Sequence, residues 1–350
     1  MRAFAYLSDR TAGWIEKPRP HAAGYDAVIR PLMVAPCTSD VHNVAIDCLK
    51  PDRILGHEGL GEIVEVGGLV RDFRVGEIVA VPPVTPDWRT VPSQLGAHQH
   101  CSGLITGQKL SNSEDGLMAE YALIRDIDAN AARIPEGVSH EAAVLAADML
   151  NTGLYGAELA EVSPGDTVVV LGIGPVGLMA VAGARLRGAG RIIAVGSRPK
   201  CVELARFYGA TDVVNYKEGD LLRQVHLLTE KKGADCCICA GGGDEALSQA
   251  VSMVRWGGTV GNVNYFTTYG DLPVNNVRFG FGMGNKTIRG GECPGGRARM
   301  EKLLALLRYG RVDPTPLITH RFEGLDGVEP AFRLMEEKPP ELVKAIVHIA

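Results

Sequence analysis

The 350-residue chain carries 36 Lys and Arg against 41 Asp and Glu, a formal net charge of −5, with 46% hydrophobic and 22% charged residues. That length suits two domains, and the charge balance leaves no electrostatic footprint for nucleic acid. No apolar run reaches the ~18 residues of a membrane span, and the opening MRAFAYLSDR lacks the apolar core of a signal peptide. The expectation is a cytoplasmic protein with no membrane or nucleic-acid partner.

Residues 1–35 read as β-rich, with 26–35 a strand-like run that places Pro31 at an edge or bulge. Then comes Pro36-Cys37-Thr38-Ser39-Asp40-Val41-His42, dense in groups that bind metals or move protons. Residues 54–67 contain Leu55-Gly56-His57-Glu58, and glycine-punctuated strands continue through 74–82. With few helix signals, this half suits a folded-over β-barrel. Residues 83–116 form a long polar excursion, of the kind that is functional or an interface. Residues 116–125 read as another strand region. A helix is predicted over 139–148 from a Ser139 N-cap, with His140 and Glu141 in its first turn. A second follows over 151–159.

The stretch 167–199 has the densest signal. Thr167–Leu171 is an apolar, β-branched run and reads as a buried strand. Gly172-Ile173-Gly174-Pro175-Val176-Gly177 follows, then a small-residue helix over 178–186 and a second strand, Arg191–Val195. Strand, Gly-x-Gly-x-x-Gly, helix, strand is the context in which that glycine pattern binds a dinucleotide. Gly172 allows the sharp turn, Gly174 lets a pyrophosphate approach the backbone, and Gly177 lets the helix pack close to the sheet. The helix N-terminus offers free N–H groups to the phosphates. Past the second strand, where a carboxylate would select NAD, the chain has Gly196-Ser197-Arg198. A hydroxyl and a guanidinium suit a 2′-phosphate, so the predicted cofactor is NADP(H).

The βα alternation continues: helices over 199–208, 221–229 and 245–254, and strands over 212–215, 234–240 and 258–264. It implies a parallel, doubly wound sheet. Helices over 297–309 and 332–337 precede a terminal strand over 343–349 that is expected to return to the first domain. Of the eight cysteines, Cys236, Cys237 and Cys239 look like a metal cluster, but they lie on a predicted strand. Alternation turns Cys236 away from the other two, and core packing is the expectation.

Cys37, His57 and Asp148, with Glu58 beside His57, are candidates for a metal site. A thiolate, an imidazole and a carboxylate suit Zn²⁺, and three protein ligands leave a position open for substrate. Their spacing is long-range and fixes no geometry; on residue types alone, a lone Cys and a lone His are more often core and surface residues than ligands.

On Ala35-Pro36-Cys37-Thr38-Ser39-Asp40, Leu55-Gly56-His57-Glu58, Thr85-Pro86-Asp87-Trp88-Arg89-Thr90, the glycine turn and Cys293-Pro294-Gly295-Gly296-Arg297, the sequence resembles the zinc-dependent medium-chain alcohol dehydrogenases over essentially its full length. It is especially similar to their NADP-dependent microbial secondary-alcohol branch. The resemblance implies an α/β chain: a GroES-like catalytic domain over 1–150 and 291–350, and a Rossmann NADP-binding domain over 151–290. It implies one catalytic zinc on Cys37, His57 and Asp148, with Glu58 an exchangeable ligand. Gly196, Ser197, Arg198 and Tyr216 would surround the 2′-phosphate and adenine, with Tyr265 also on the cofactor. Ser39 and His42 would relay a proton between substrate and solvent, and the enzyme would be a homotetramer interconverting secondary alcohols and ketones, and some aldehydes, by hydride transfer. The alternative within this fold is a zinc-free reductase of enones or quinones.

Two departures from the family's pattern stand out. Many relatives hold a structural zinc on four closely spaced cysteines in the long excursion; here residues 83–116 contain only Cys101, so no structural zinc is expected. Gln108 and Glu292 stand where an aromatic and an aliphatic pocket residue are expected, which implies a wider or more polar pocket.

Overall fold

Ala27–Val34 is the spine of the first of two compact units, which comprises Met1–Asp148 and Pro294–Ala350. It pairs antiparallel with Gly59–Val66 on one side and, through Met33 and Val34, with Lys344–His348 on the other. The register slips between Pro31 and Met33, so a residue without an N–H sits in a bulge of a central strand. The sheet runs in the order Ile318–Glu323, Lys344–His348, Ala27–Val34, Gly59–Val66, Ile78–Val81, Ala132–Arg133, with Ala122–Ile124 also on Ala27–Val34. A separate three-stranded sheet holds Ala12–Glu16, Arg2–Tyr6 and Arg53–Ile54. Phe4, Tyr6, Ile29, Phe73, Leu117 and Phe332 anchor the apolar core of this unit. The structure, a computed structural model, describes residues 1–266, 270–277 and 279–350.

Two local features carry site residues. Thr38–Ala45 is a helix, although no helical pattern marks Ser39 and His42 in the sequence. Cys37 is its N-cap, in extended conformation, and the Asp40 carboxylate accepts the Cys37 backbone N–H at 3.3 Å. A cysteine is a poor cap by type, so the cap had no recognisable residue in the sequence. The second feature is His140–Leu145, started by the Ser139 hydroxyl accepting from the Ala142 N–H at 3.2 Å. It widens into a π-helical turn, Ala146–Leu150, before continuing as Asn151–Leu159. Asp148 lies in that turn, a type of irregularity frequent at functional sites.

The second unit is Met149–Cys293. Its six parallel strands run in the order Asp212–Val214, Arg191–Val195, Thr167–Leu171, Ala234–Cys239, Val254–Asn262, Thr287–Gly290. This is the doubly wound order in which the first strand is central and ligands bind beyond the strand carboxyl ends. Cys237 and Cys239 pack with Val169 and Val260 in one apolar cluster, while Cys236, one step along, is buried outside it. The helix after the glycine turn is Pro175–Leu186, starting three residues earlier than expected. Proline at N1 gives up no hydrogen bond there and brings a helical φ with it. Thr287–Gly290 and Ile318–Glu323 are strands that the sequence pattern did not signal. Both are mostly exposed or half-buried, so neither shows a clean apolar alternation. No helix among the described residues is long and apolar enough to cross a membrane.

Candidate metal centre and nucleotide site

Four side chains converge in the first unit. One ligand atom each from Cys37, His57, Glu58 and Asp148 lies within 4.8 Å of the others. Cys37 Sγ and His57 Nε2 are each 3.9 Å from Asp148 Oδ2, and His57 Nε2 is 4.0 Å from Glu58 Oε1. His57 and Glu58 are buried, and Glu58 Oε2 has no hydrogen-bond partner although no solvent reaches it. Such an orphan acceptor is costly unless something positive faces it. The donor set, one thiolate, one imidazole and two carboxylates, is one that zinc accepts. The residues therefore fit a divalent cation on both chemistry and placement.

The surroundings set the charge states. Lys344 is buried, donating to Glu58 Oε1 at 2.8 Å and to the Pro36 carbonyl at 3.0 Å. Burial opposes its charge, but Glu58, Cys37 and Asp148 outweigh this and hold the ammonium above the usual lysine range. Burial alone would push the Cys37 thiol up; Lys344 and the His57 contact reverse that and bring it below its ordinary value. Burial disfavours a charged His57, yet the Asp40 charge and the Asp148 and Asp40 hydrogen bonds hold its imidazole well above the usual range. Burial, with the Cys37 and Asp148 charges, pushes the Glu58 carboxyl well above its ordinary value despite Lys344, so the cluster is short of positive charge and the His57 proton partly fills the place of a cation.

Asp40 orients the imidazole. Its Oδ1 lies 3.2 Å from His57 Nδ1 and accepts from the Gly56 N–H at 3.2 Å and the Ser111 hydroxyl at 2.7 Å. Burial works against its ionisation, but His57, Ser111 and Gly56 hold the carboxyl low. An ionised carboxylate only accepts, so Nδ1 carries the proton and Nε2 faces the other ligands. Ser39 Oγ is 3.3 Å from that Nε2. His42 lies three residues on along the same helix, on the neighbouring face position. It is half-buried, and burial with the nearby Lys338 lowers its pKa. Sequence reading missed Asp40, Ser111 and Lys344. Asp40 stood inside a motif, but Ser111 reaches it from 71 residues away and Lys344 reaches Glu58 from 286 residues away, so neither contact left a local signal.

The nucleotide residues lie in the second unit. Gly172 has φ +87°, and a Cβ there would meet the Gly241 backbone at 2.6 Å. A Cβ on Gly177 would lie 1.8 Å from the Gly172 carbonyl oxygen. Gly174 differs: the nearest atom to its missing Cβ is an Arg198 guanidinium nitrogen, at 3.9 Å. Two of the glycines are therefore required by packing, while the third leaves open space beneath a cation. Pro175 and Val176 are the first two residues of the helix capped by Gly174. Gly196 and Ser197 follow the end of Arg191–Val195, and Arg198 is the N-cap of Pro199–Tyr208. Gly196 also answers to packing, since a Cβ would meet Ile173 at 2.1 Å. Tyr216 and Tyr265 are exposed and follow the strands Asp212–Val214 and Val254–Asn262.

Residues 23–136 match the Alcohol dehydrogenase GroES-like domain and residues 175–308 the Zinc-binding dehydrogenase family. The chain is 54% identical over 352 residues to an NADP-dependent isopropanol dehydrogenase of Thermoanaerobacter brockii, with all of both chains covered. The chain belongs to the zinc-binding alcohol dehydrogenase family. To a second such isopropanol dehydrogenase, from Clostridium beijerinckii, the dehydrogenase is 53% identical over 99% of both chains. An alcohol dehydrogenase of Thermus sp. ATN1 has a TM-score of 0.87 at 27% identity, covering 100% of both chains.

The remaining sequence-flagged residues of the dehydrogenase fall as follows. His98 Nε2 accepts from the Gly295 N–H at 3.1 Å while its ring stacks on Trp88 at 4.7 Å. His100 Nδ1 accepts from the Ile105 N–H at 2.9 Å, and Cys101 is buried against the Thr106 carbonyl. His100 and Cys101 thus serve contacts within the excursion, while His98 ties it to Gly295. Gln108 lies in the first unit and Glu292 in the second.

Proposed function

We propose that this chain is a zinc- and NADP(H)-dependent oxidoreductase that interconverts secondary alcohols and ketones. The observation that carries the reading is the convergence of Cys37, His57, Glu58 and Asp148, with Glu58 Oε2 left without a hydrogen-bond partner, in a chain more than half identical to NADP-dependent isopropanol dehydrogenases. Cys37, His57 and Asp148 would hold the metal, with Glu58 as an exchangeable fourth donor. Zinc bound there supplies Lewis acidity to a carbonyl oxygen, and NADP(H) supplies or takes the hydride.

The chain's own residues do the rest. Asp40 fixes the Nδ1-protonated imidazole. The Ser39 hydroxyl exchanges a proton with the substrate oxygen, and His42, uncharged near neutral pH because burial lowers its pKa, passes it to solvent. Arg198 and Ser197 would bind the 2′-phosphate, with Gly196, Tyr216 and Tyr265 around the cofactor; Gly172, Gly174, Pro175, Val176 and Gly177 would shape the pyrophosphate turn. The first unit would be the catalytic domain and the second the nucleotide domain. Gln108 and Glu292 would make the substrate pocket more polar.

The enzyme would be a cytoplasmic homotetramer. Self-association is supported by a sheet edge, Thr287–Gly290, that is largely exposed. It is supported too by exposed Trp256, Val277, Phe281 and Met283 in the same unit. The function is tested by NADPH oxidation against a panel of ketones and enones, in parallel with NADH and with a strong chelator. Ketone turnover with NADPH that the chelator abolishes is expected. Turnover that survives complete metal removal, or is confined to enones, would point to a zinc-free reductase.

A further inference from the structure

Asp40 receives one hydrogen bond from far outside its own neighbourhood. Its other donors, the Cys37 and Gly56 N–H groups and His57 Nδ1, lie within residues 37–57 at 3.2–3.3 Å. The Ser111 hydroxyl reaches Oδ1 from 71 residues away and is the shortest of the four, at 2.7 Å. Asp40 is 0% exposed and Ser111 1%, so water does not compete for this contact.

Ser111 makes the bond from an unfavourable backbone. Its φ is +68°, a region that serine rarely occupies and glycine occupies freely. The surrounding segment holds it there. Leu110 is buried in the core. The Asn112 and Glu114 N–H groups donate to the Lys109 carbonyl at 3.1 and 2.9 Å. Asn112 Nδ2 donates to the Gln108 carbonyl at 3.0 Å, and Asn112 Oδ1 accepts from Asn43 Nδ2 at 2.9 Å. Asn43 and Asp40 sit on the same helix, Thr38–Ala45. The segment bearing Gln108 is thus tied to the helix bearing Ser39 at two points, Asn112 to Asn43 and Ser111 to Asp40.

We infer that Ser111 is a positioning residue of the metal centre: its hydroxyl fixes the Asp40 carboxylate, which in turn fixes the plane of the His57 ring and the direction of Nε2. A backbone position that favours glycine yet holds a serine, with the hydroxyl spent on one buried carboxylate, is the juxtaposition that carries this. The inference rests on the reading of Cys37, His57 and Asp148 as zinc ligands.

The test is zinc release from the purified holoenzyme into excess dipicolinate, for the wild type, Ser111→Ala, Ser111→Gly, Asp40→Asn and the Asp40→Asn/Ser111→Gly double variant. Both Ser111 variants are expected to release zinc about 10-fold faster or more, the usual effect of losing an outer hydrogen-bond partner. Ser111→Gly should do so although it relieves the left-handed backbone. In the cobalt-substituted enzyme both should shift the visible ligand-field band. In the Asp40→Asn background, Ser111→Gly should add nothing. Wild-type zinc release and an unshifted band in Ser111→Gly would overturn the inference, as would a full additional loss in the Asp40→Asn background. If Asp40→Asn does not fold, the Ser111→Gly comparison decides alone. A wild type that binds no zinc would overturn the metal reading itself; a zinc-holding wild type matched by Ser111→Gly overturns only the role of Ser111.

Discussion

Lys344 Nζ lies 2.8 Å from Glu58 Oε1, and neither side chain is more than 1% exposed. An ion pair at that depth is held by mutual need, because either charge alone would be buried without compensation. Lys344→Met should therefore destabilise the enzyme by about 3–5 kcal/mol, the usual cost of breaking a buried pair from one side. The Lys344→Met/Glu58→Gln double variant should recover most of that. Urea unfolding of the three proteins measures it; a single variant within ~1 kcal/mol of wild type would mean the pair is no stronger than a surface one.

Arg198 caps a helix and places a guanidinium nitrogen 3.9 Å from the position of a Cβ on Gly174. Replacing it with alanine should weaken NADPH binding about 10–100-fold, the range of a lost charge-assisted hydrogen bond. NADH binding should barely change. Fluorescence titration with each nucleotide separates the two; equal losses would show that Arg198 does not read the 2′-phosphate.

The nucleotide half was legible because its signals are local. Strand, glycine turn and helix follow one another, and Thr167–Leu171 and Arg191–Val195 begin and end where the apolar runs do. The candidate metal ligands were legible as residue types within short words, but their convergence was not, since Cys37 and Asp148 are 111 residues apart. The supporting residues were invisible. Lys344 reads as a charge near the start of a terminal strand, and only its burial beside Glu58 gives it a role. Thr287–Gly290 joins the sheet through backbone pairing with Val254–Asn262, which no side-chain pattern announces.

Gly174 and Gly177 look alike in the motif but should fail differently. A Cβ on Gly177 would lie 1.8 Å from the Gly172 carbonyl oxygen, so Gly177→Ala should lower stability by several kcal/mol, in the range of ~1–3 for overpacking and above. A Cβ on Gly174 meets nothing closer than 3.9 Å. Gly174→Ala should fold as wild type and lose nucleotide affinity. Melting temperature and nucleotide affinity, measured on both, test this; an unstable Gly174→Ala would contradict it.

Thiol labelling reports on the metal centre. Cys48 is the exposed cysteine, whereas burial pushes Cys236 and Cys239 up to about 12 and raises Cys237 well above its ordinary value. The native holoenzyme should label at Cys48. After chelation, Cys37 should join it, because it is half-buried and its thiol sits below the ordinary value. Mass mapping of the modified peptides identifies the sites. Labelling of Cys37 at the same rate with zinc present would remove it from the ligand set.

Arg191 grips Asp212 with two parallel hydrogen bonds, both 2.9 Å, across the neighbouring strands Arg191–Val195 and Asp212–Val214. The Arg191 hydrogen bond, against an opposing burial effect and with help from Thr211, holds the Asp212 carboxyl below the usual range. The unfolded chain therefore takes up the proton first as pH falls. Stability from this pair is fully present above the unfolded value of about 3.9 and is lost as pH drops through the lower folded value. Asp212→Asn should cost ~1 kcal/mol at neutral pH, a modest figure because the pair is partly exposed. The gap to wild type should close once the wild-type carboxylate is protonated. Urea midpoints of both proteins from neutral pH down to about 3 follow that convergence. A gap that stays constant over the whole range would assign the stabilisation to the hydrogen-bond geometry of residue 212 rather than to its charge.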